Sequence, residues 1–195
     1  MHRLFTALAL AGLTSVATAA PTSIFGIELG QPLSLPECPF KPLLKSKMYD
    51  VTPASTCVED AGPLNGYGVP VRRVVFSQAE APPIVKNWTL FPLEQDGKVI
   101  GVHWITAGVD SQALVLEQLR AKFGAVTSQT AHQVQTAMGA SFDAVTATWS
   151  LPGLSVRFYG VGDRITSGQV YVDLPEAAAL RAEWERKEAA PQRKL

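Results

Sequence analysis

Three consecutive segments between Val145 and Leu174 alternate apolar and polar residues with period two, and that rhythm restricts this part of the chain to half-buried β-strands. Val145, Ala147, Trp149 and Leu151 share one side of the first segment. Leu154, Val156 and Phe158 do so in the second, and Val170, Val172 and Leu174 in the third. Successive side chains of a strand point to opposite faces, so the other side carries Thr146, Thr148, Ser150, Ser155, Arg157, Tyr159, Gln169, Tyr171 and Asp173. One face is expected to be core and the other wet. Pro152-Gly153 joins the first two segments and the turn-rich stretch from Val161 to Ser167 joins the last two, which makes a three-stranded antiparallel meander the simplest topology.

Upstream, two β-prone runs, Trp88 to Leu93 and Val99 to Thr106, flank Gln95-Asp96-Gly97-Lys98. An Asp-Gly pair tolerates positive φ at both turn positions, so the runs predict a β-hairpin. Apolar residues on both faces of the second run (Val99, Ile100, Val102, Trp104, Ile105) predict a central strand covered from both sides. Asp110 is the expected N-cap of a helix from Ser111 to Phe123, with Gly124 as its stop and Arg120 and Lys122 at the negative end of its dipole. Val115, Leu116, Leu119 and Phe123 form a stripe that should cover the sheet. The polar stretch from Thr127 to Gln135 is read as a connection, broken by Gly139. Pro175 opens a C-terminal helix on which Ala177, Leu180 and Trp184 keep helical spacing and Glu183 pairs with Lys187. Between Pro21 and Pro83 the density of Pro and Gly predicts loops or short strands.

The expected fold class is therefore α+β. An antiparallel sheet, made of the hairpin and the meander, is covered by one central helix, with a C-terminal helix and a loop-rich N-terminal part. No internal repeat and no long linker appears, so residues 20–190 are expected to form a single domain, followed by a disordered tail over 191–195. A domain of this size buries roughly 70% of its unfolded surface, so its core needs no cofactor, and none is expected.

The compartment is written at the N-terminus. Arg3 precedes a charge-free apolar run from Leu4 to Val16 and the small-residue triplet Ala17-Thr18-Ala19, the pattern of a secretory signal peptide over 1–19. Cleavage after Ala19 avoids leaving Pro21 directly behind the scissile bond. The protein is thus expected to be secreted or periplasmic. Cys38 and Cys57 are the two cysteines of the chain, and an oxidising compartment favours joining them. Closing a loop of about 20 residues stabilises a fold by roughly 3 kcal/mol in the chain-entropy model, a gain well placed in a loop-rich stretch.

Composition narrows the function classes. With 17 Lys+Arg against 17 Asp+Glu, the chain lacks the positive balance that draws a protein to nucleic acid or to anionic lipid. A 47% hydrophobic and 17% charged composition is that of a folded domain, and beyond the N-terminus no window is long and apolar enough to span a bilayer. Gly139-Ala140-Ser141 lacks the second glycine of a nucleophile elbow, and His103 and His132 have no partner at metal-ligand spacing. Neither a catalytic residue nor a metal ligand is assigned. Gly160-Val161-Gly162 is read as a loop rather than a phosphate cradle, and Asn87-Trp88-Thr89 fits the glycan-acceptor pattern.

The stretch Leu114 to Gly124 (LVLEQLRAKFG), followed by Trp149 on a meander strand, resembles the helix-then-antiparallel-sheet modules of small exported bacterial proteins. These are the β-lactamase-inhibitor-like and outer-membrane-assembly lipoprotein families, and the likeness spans residues 114–172. It implies action by protein contact. The chain departs from those families in having no cysteine at the end of its apolar run and no second copy of the module.

The expectation that follows is an exported, disulfide-bearing protein that binds a protein or envelope component without catalysis. Arg157, Tyr159 and Tyr171 on the outward face of the meander are the candidate binding residues, because they interleave a cation with amphipathic rings. The alternative class is a small secreted hydrolase using Glu94, Asp96, His103 and Asp110, which requires those four side chains to converge. Oligomeric state is not specified by the sequence.

Overall fold

The computed structural model describes residues 22–43, 46–49, 53–64, 70–136 and 138–189. The expected signal peptide over 1–19 and the expected tail over 191–195 lie outside the described residues. In chain order the strands begin with β1 (Ser23–Ile24) and β2 (Ile27–Glu28), a hairpin turning through Phe25 and Gly26. A second small pair, β3 (Phe40–Leu43) and β4 (Ser46–Tyr49), follows. The main sheet then takes β5 (Cys57–Leu64), β6 (Pro70–Val75), β7 (Thr89–Gln95) and β8 (Lys98–Thr106). Helix α1 (Gln112–Phe123) leads to β9 (Ser128–Gln135), β10 (Ser141–Leu151), β11 (Leu154–Arg164) and β12 (Ser167–Asp173), and α2 (Pro175–Ala189) closes the series.

The main sheet has eight strands in the order β5-β6-β7-β8-β12-β11-β10-β9, with antiparallel neighbours throughout. The β7–β8 hairpin forms as the Asp-Gly signal predicts, with positive φ at Asp96 (50°) and Gly97 (72°). Strand β8 lies fourth in the order. Val99, Val102 and Trp104 enter the main core, while Ile100 packs with Leu93 of β7 and Ala177 of α2 in a separate cluster. A register shift between Leu93 and Glu94, with the extra residue on β8, explains that split, since it breaks the period-two alternation and lets Val99 and Val102, three residues apart, face the same core.

The alternating segments are strands, and Ala147, Trp149, Leu154, Val156, Phe158, Val170 and Val172 are buried in one cluster with Val115, Leu119 and Phe123 of α1. Leu116 packs against that cluster partly buried. The helix stops as expected at Gly124, whose φ is 81° and whose N–H donates to the Arg120 carbonyl at 2.8 Å.

Five expectations are corrected. The meander has a fourth strand, because the polar stretch read as a connection is β9, paired along its length with β10. Its side chains are nearly all exposed, so no hydrophobic alternation marks it. Strand β11 continues through Gly160-Val161-Gly162 to Arg164, absorbing a bulge after Tyr159, so that glycine pair lies in a strand rather than a loop. Asp110 is not the cap of α1. It belongs to a short 3-10 turn, Gly108–Asp110, and Ser111 stands at the cap position with its hydroxyl accepting from the Ala107 N–H at 2.9 Å. The main sheet is not limited to the hairpin and the meander, because β5 and β6 of the N-terminal part extend it beyond β7. Finally, the polar face of the meander is not uniformly wet, because Asp173 is fully buried there.

The disulfide joins Cys38 to Cys57. It sits where the segment before β3 runs beside the start of β5: Cys38 N–H donates to the Val58 carbonyl, Val58 N–H donates to the Pro36 carbonyl, and Glu37 bridges Val58 in parallel. Among the described residues no helix is long and apolar enough to cross a membrane.

Candidate binding face

Antiparallel register places residues of neighbouring strands directly opposite one another, which turns a sequence pattern into a row of side chains across the sheet. Phe91 of β7 is opposite His103 of β8, His103 is opposite Tyr171 of β12, and Tyr171 is opposite Arg157 of β11. The rings stack along this row. Phe91 and His103 have centroids 5.4 Å apart with planes 26° from parallel, and His103 and Tyr171 are 4.7 Å apart at 11°. Tyr159 meets the edge of Tyr171 at 6.1 Å. All five side chains are partly exposed.

Two guanidinium groups cap the Tyr171 ring, Arg181 of α2 at 4.6 Å and Arg157 at 5.4 Å. Both are tied to the buried carboxylate of Asp173. Arg181 Nε donates to its two oxygens at 3.0 and 2.9 Å, and Arg157 approaches to 3.8 Å while also donating to Glu185 at 3.0 Å. Asp173, Ala177 and Arg181 are four residues apart, so the strand end and the first turns of α2 present them in one line. Gly101 of β8 makes room for this line, because a Cβ there would collide with an Asp173 oxygen and stand 3.0 Å from the Ala177 methyl.

Two ionisable groups are shifted by these surroundings. Burial, reinforced by the nearby Arg181 charge, holds the His103 imidazole at about 4, so the ring is neutral at physiological pH, and its buried Nε2 has no hydrogen-bond partner among the described residues. Burial raises the Asp173 carboxyl, against the pull of Arg181 and Arg157. Arg157 and Arg181 are matched by Asp173 and Glu185, so the face offers ring surface and fixed dipoles rather than net positive charge.

The structure thus gathers the three candidate binding residues, Arg157, Tyr159 and Tyr171, into one cluster. It adds Phe91, His103, Asp173 and Arg181, which the sequence did not assign to it. Phe91 and His103 could be found only through the β7–β8–β12 register, whereas the helical spacing from Asp173 to Arg181 was a readable signal. The four residues considered for hydrolysis do not converge. Both oxygens of Glu94 accept from Arg72, at 3.0 and 3.1 Å, and Asp96 occupies the hairpin turn. Asp110 lies beyond the far end of β8, a nine-residue strand of about 30 Å, with His103 between. Ser141 starts β10 exposed, His132 is exposed on β9, and no cluster of three or more metal-ligating side chains occurs among the described residues.

The chain matches no protein-family model, no curated protein and no solved structure.

Proposed function

We propose that the chain is exported and acts by non-catalytic contact, binding a protein or envelope component through the row Phe91–His103–Tyr171–Arg157 together with Tyr159. In this reading the N-terminal signal delivers it to the oxidising compartment in which Cys38 and Cys57 join, α1 covers the opposite face of the sheet, and α2 covers one end of this face. The observation that carries the proposal is the stacked, partly exposed aromatic row whose arginines are already neutralised. Aromatic rings held rigidly by their neighbours lose little side-chain entropy on contact, and arginine planes extend the flat surface they present. Action by contact is also what the resemblance of residues 114–172 to exported helix-and-sheet modules implies.

The test is photo-crosslinking in the native extracytoplasmic fraction, from positions Tyr159 and Gln169 on the face and from Glu117 on the exposed side of α1. A discrete adduct from the first two and not from Glu117 is expected. Adducts from Glu117 alone would place the contact elsewhere and overturn the assignment.

A further inference from the structure

An eight-stranded open sheet has two edges, and this one treats them differently. Edge strand β5 is bulged against β6 around Gly62, contains Pro63, and is partly shielded where Glu37 bridges Val58 beside the disulfide. Such devices discourage pairing with another strand. Edge strand β9, Ser-Gln-Thr-Ala-His-Gln-Val-Gln, has none of them. Over its eight residues it carries no Asp, Glu, Lys, Arg, Pro or Gly, it pairs with β10 without a register shift, and its side chains stand exposed apart from the half-buried Val134.

The hydrogen-bond phase of β9 determines what its open side offers. Thr136 N–H donates to the Ala140 carbonyl at 2.8 Å, at the head of the register that continues as Gln135↔Ser141 and Val134↔Phe142. Antiparallel pairs alternate between bonded and non-bonded, so Val134, His132, Thr130 and Ser128 spend their backbone groups on β10. The N–H and C=O of Gln129, Ala131, Gln133 and Gln135 point away from the sheet.

We infer that this edge pairs with β9 of a second copy of the chain, antiparallel about a two-fold axis at His132, to form a continuous sixteen-stranded sheet (twice the eight strands of one chain). That register is singled out because it alone leaves none of the four outward-facing residues unmatched. Gln129 meets Gln135 of the second copy and Ala131 meets Gln133, each pair exchanging two backbone bonds. Between them Thr130 lies opposite Val134, a β-branched pair suited to a sheet, and His132 lies opposite itself. No like charges meet anywhere along the seam. The same register carries the β9–β10 turn past the start of the second copy's β9, toward Val126, and that turn holds Met138, a large apolar side chain that is 95% exposed in the single chain. The aromatic row is not involved, so this inference and the proposed binding function stand or fall separately.

The experiment is sedimentation equilibrium on the purified full chain and three variants. The wild type should be a dimer. Ala131→Pro removes an outward N–H and no bond to β10, a placement that an edge strand tolerates, and should weaken self-association at least about tenfold while the circular dichroism stays unchanged. His132→Asp and His132→Lys each set two like charges together on the axis and should each be monomeric, whereas an equimolar mixture of the two should recover a heterodimer. A monomeric wild type at every concentration, a dimer indifferent to Ala131→Pro, or a mixture that fails to associate would overturn the proposal.

Discussion

Asp173 is 0% exposed and Arg181 5%, so each is the other's main compensation for leaving water. Removing one partner of such a pair strands a buried charge, which costs about 3–5 kcal/mol, far more than an exposed pair is worth. Asp173→Ala should therefore lower the unfolding free energy by that amount in urea titrations. Replacing both, as Asp173→Leu with Arg181→Met, should recover much of the loss. His103 makes a different kind of demand. Its imidazole has an ordinary value of 6.5 and is held at about 4 in the fold. Between those values the unfolded chain takes up a proton that the folded one excludes, so stability is full above pH 6.5 and is lost as the pH falls toward 4. Allowing for the partial exposure of the ring, the loss is about 2 kcal/mol. Asp173, raised by burial, contributes in the opposite sense at the acid end, so the His103 slope should be clearest near pH 6. Stability measured against pH should show this slope in the wild type and lose it in His103→Phe, which keeps the stack and removes the titrating group.

At the scale of elements, Gly101 and the disulfide are the positions where small changes reach furthest. A methyl at Gly101 would collide with the Asp173 carboxylate and crowd the Ala177 contact that seats α2 on β8. Gly101→Ala should cost about 1–3 kcal/mol, the range for an overpacked core, and should loosen α2 first, visible as faster amide exchange over residues 177–185 than in the wild type. Breaking the Cys38–Cys57 bond with the Cys38→Ser/Cys57→Ser variant should lower stability by about 3 kcal/mol in denaturant melts. Which elements were legible follows from how each declares itself. Asp96-Gly97, Gly124 and the Trp149 alternation state their conformation locally, and the hairpin, the end of α1 and three meander strands could be read from them. Strand β9 could not, because a strand wet on both faces has no alternation to read, and the cap of α1 moved from Asp110 because Gly108, with φ 64° and backbone of residues 165–167 against it, folds the chain into a tight turn first. The candidate site was half legible: Arg157, Tyr159 and Tyr171 share a face by alternation alone, but Phe91 and His103 join them only through the pairing of β8 with β12, which no local pattern encodes.

For the whole molecule, that pairing is the seam between two four-stranded halves, β5 to β8 and β9 to β12. It places the last strand in sequence beside the middle of the sheet. During synthesis β8 and β11 cannot be joined until β12 has been made, because β12 is the strand that pairs with both. A nascent or prematurely terminated chain ending before Ser167 would present the apolar margins of β8 and β11, including Val102, Trp104, Val156 and Phe158, with nothing to lie between them. Such a chain gains from being held open until β12 is available to fill the gap between its neighbours.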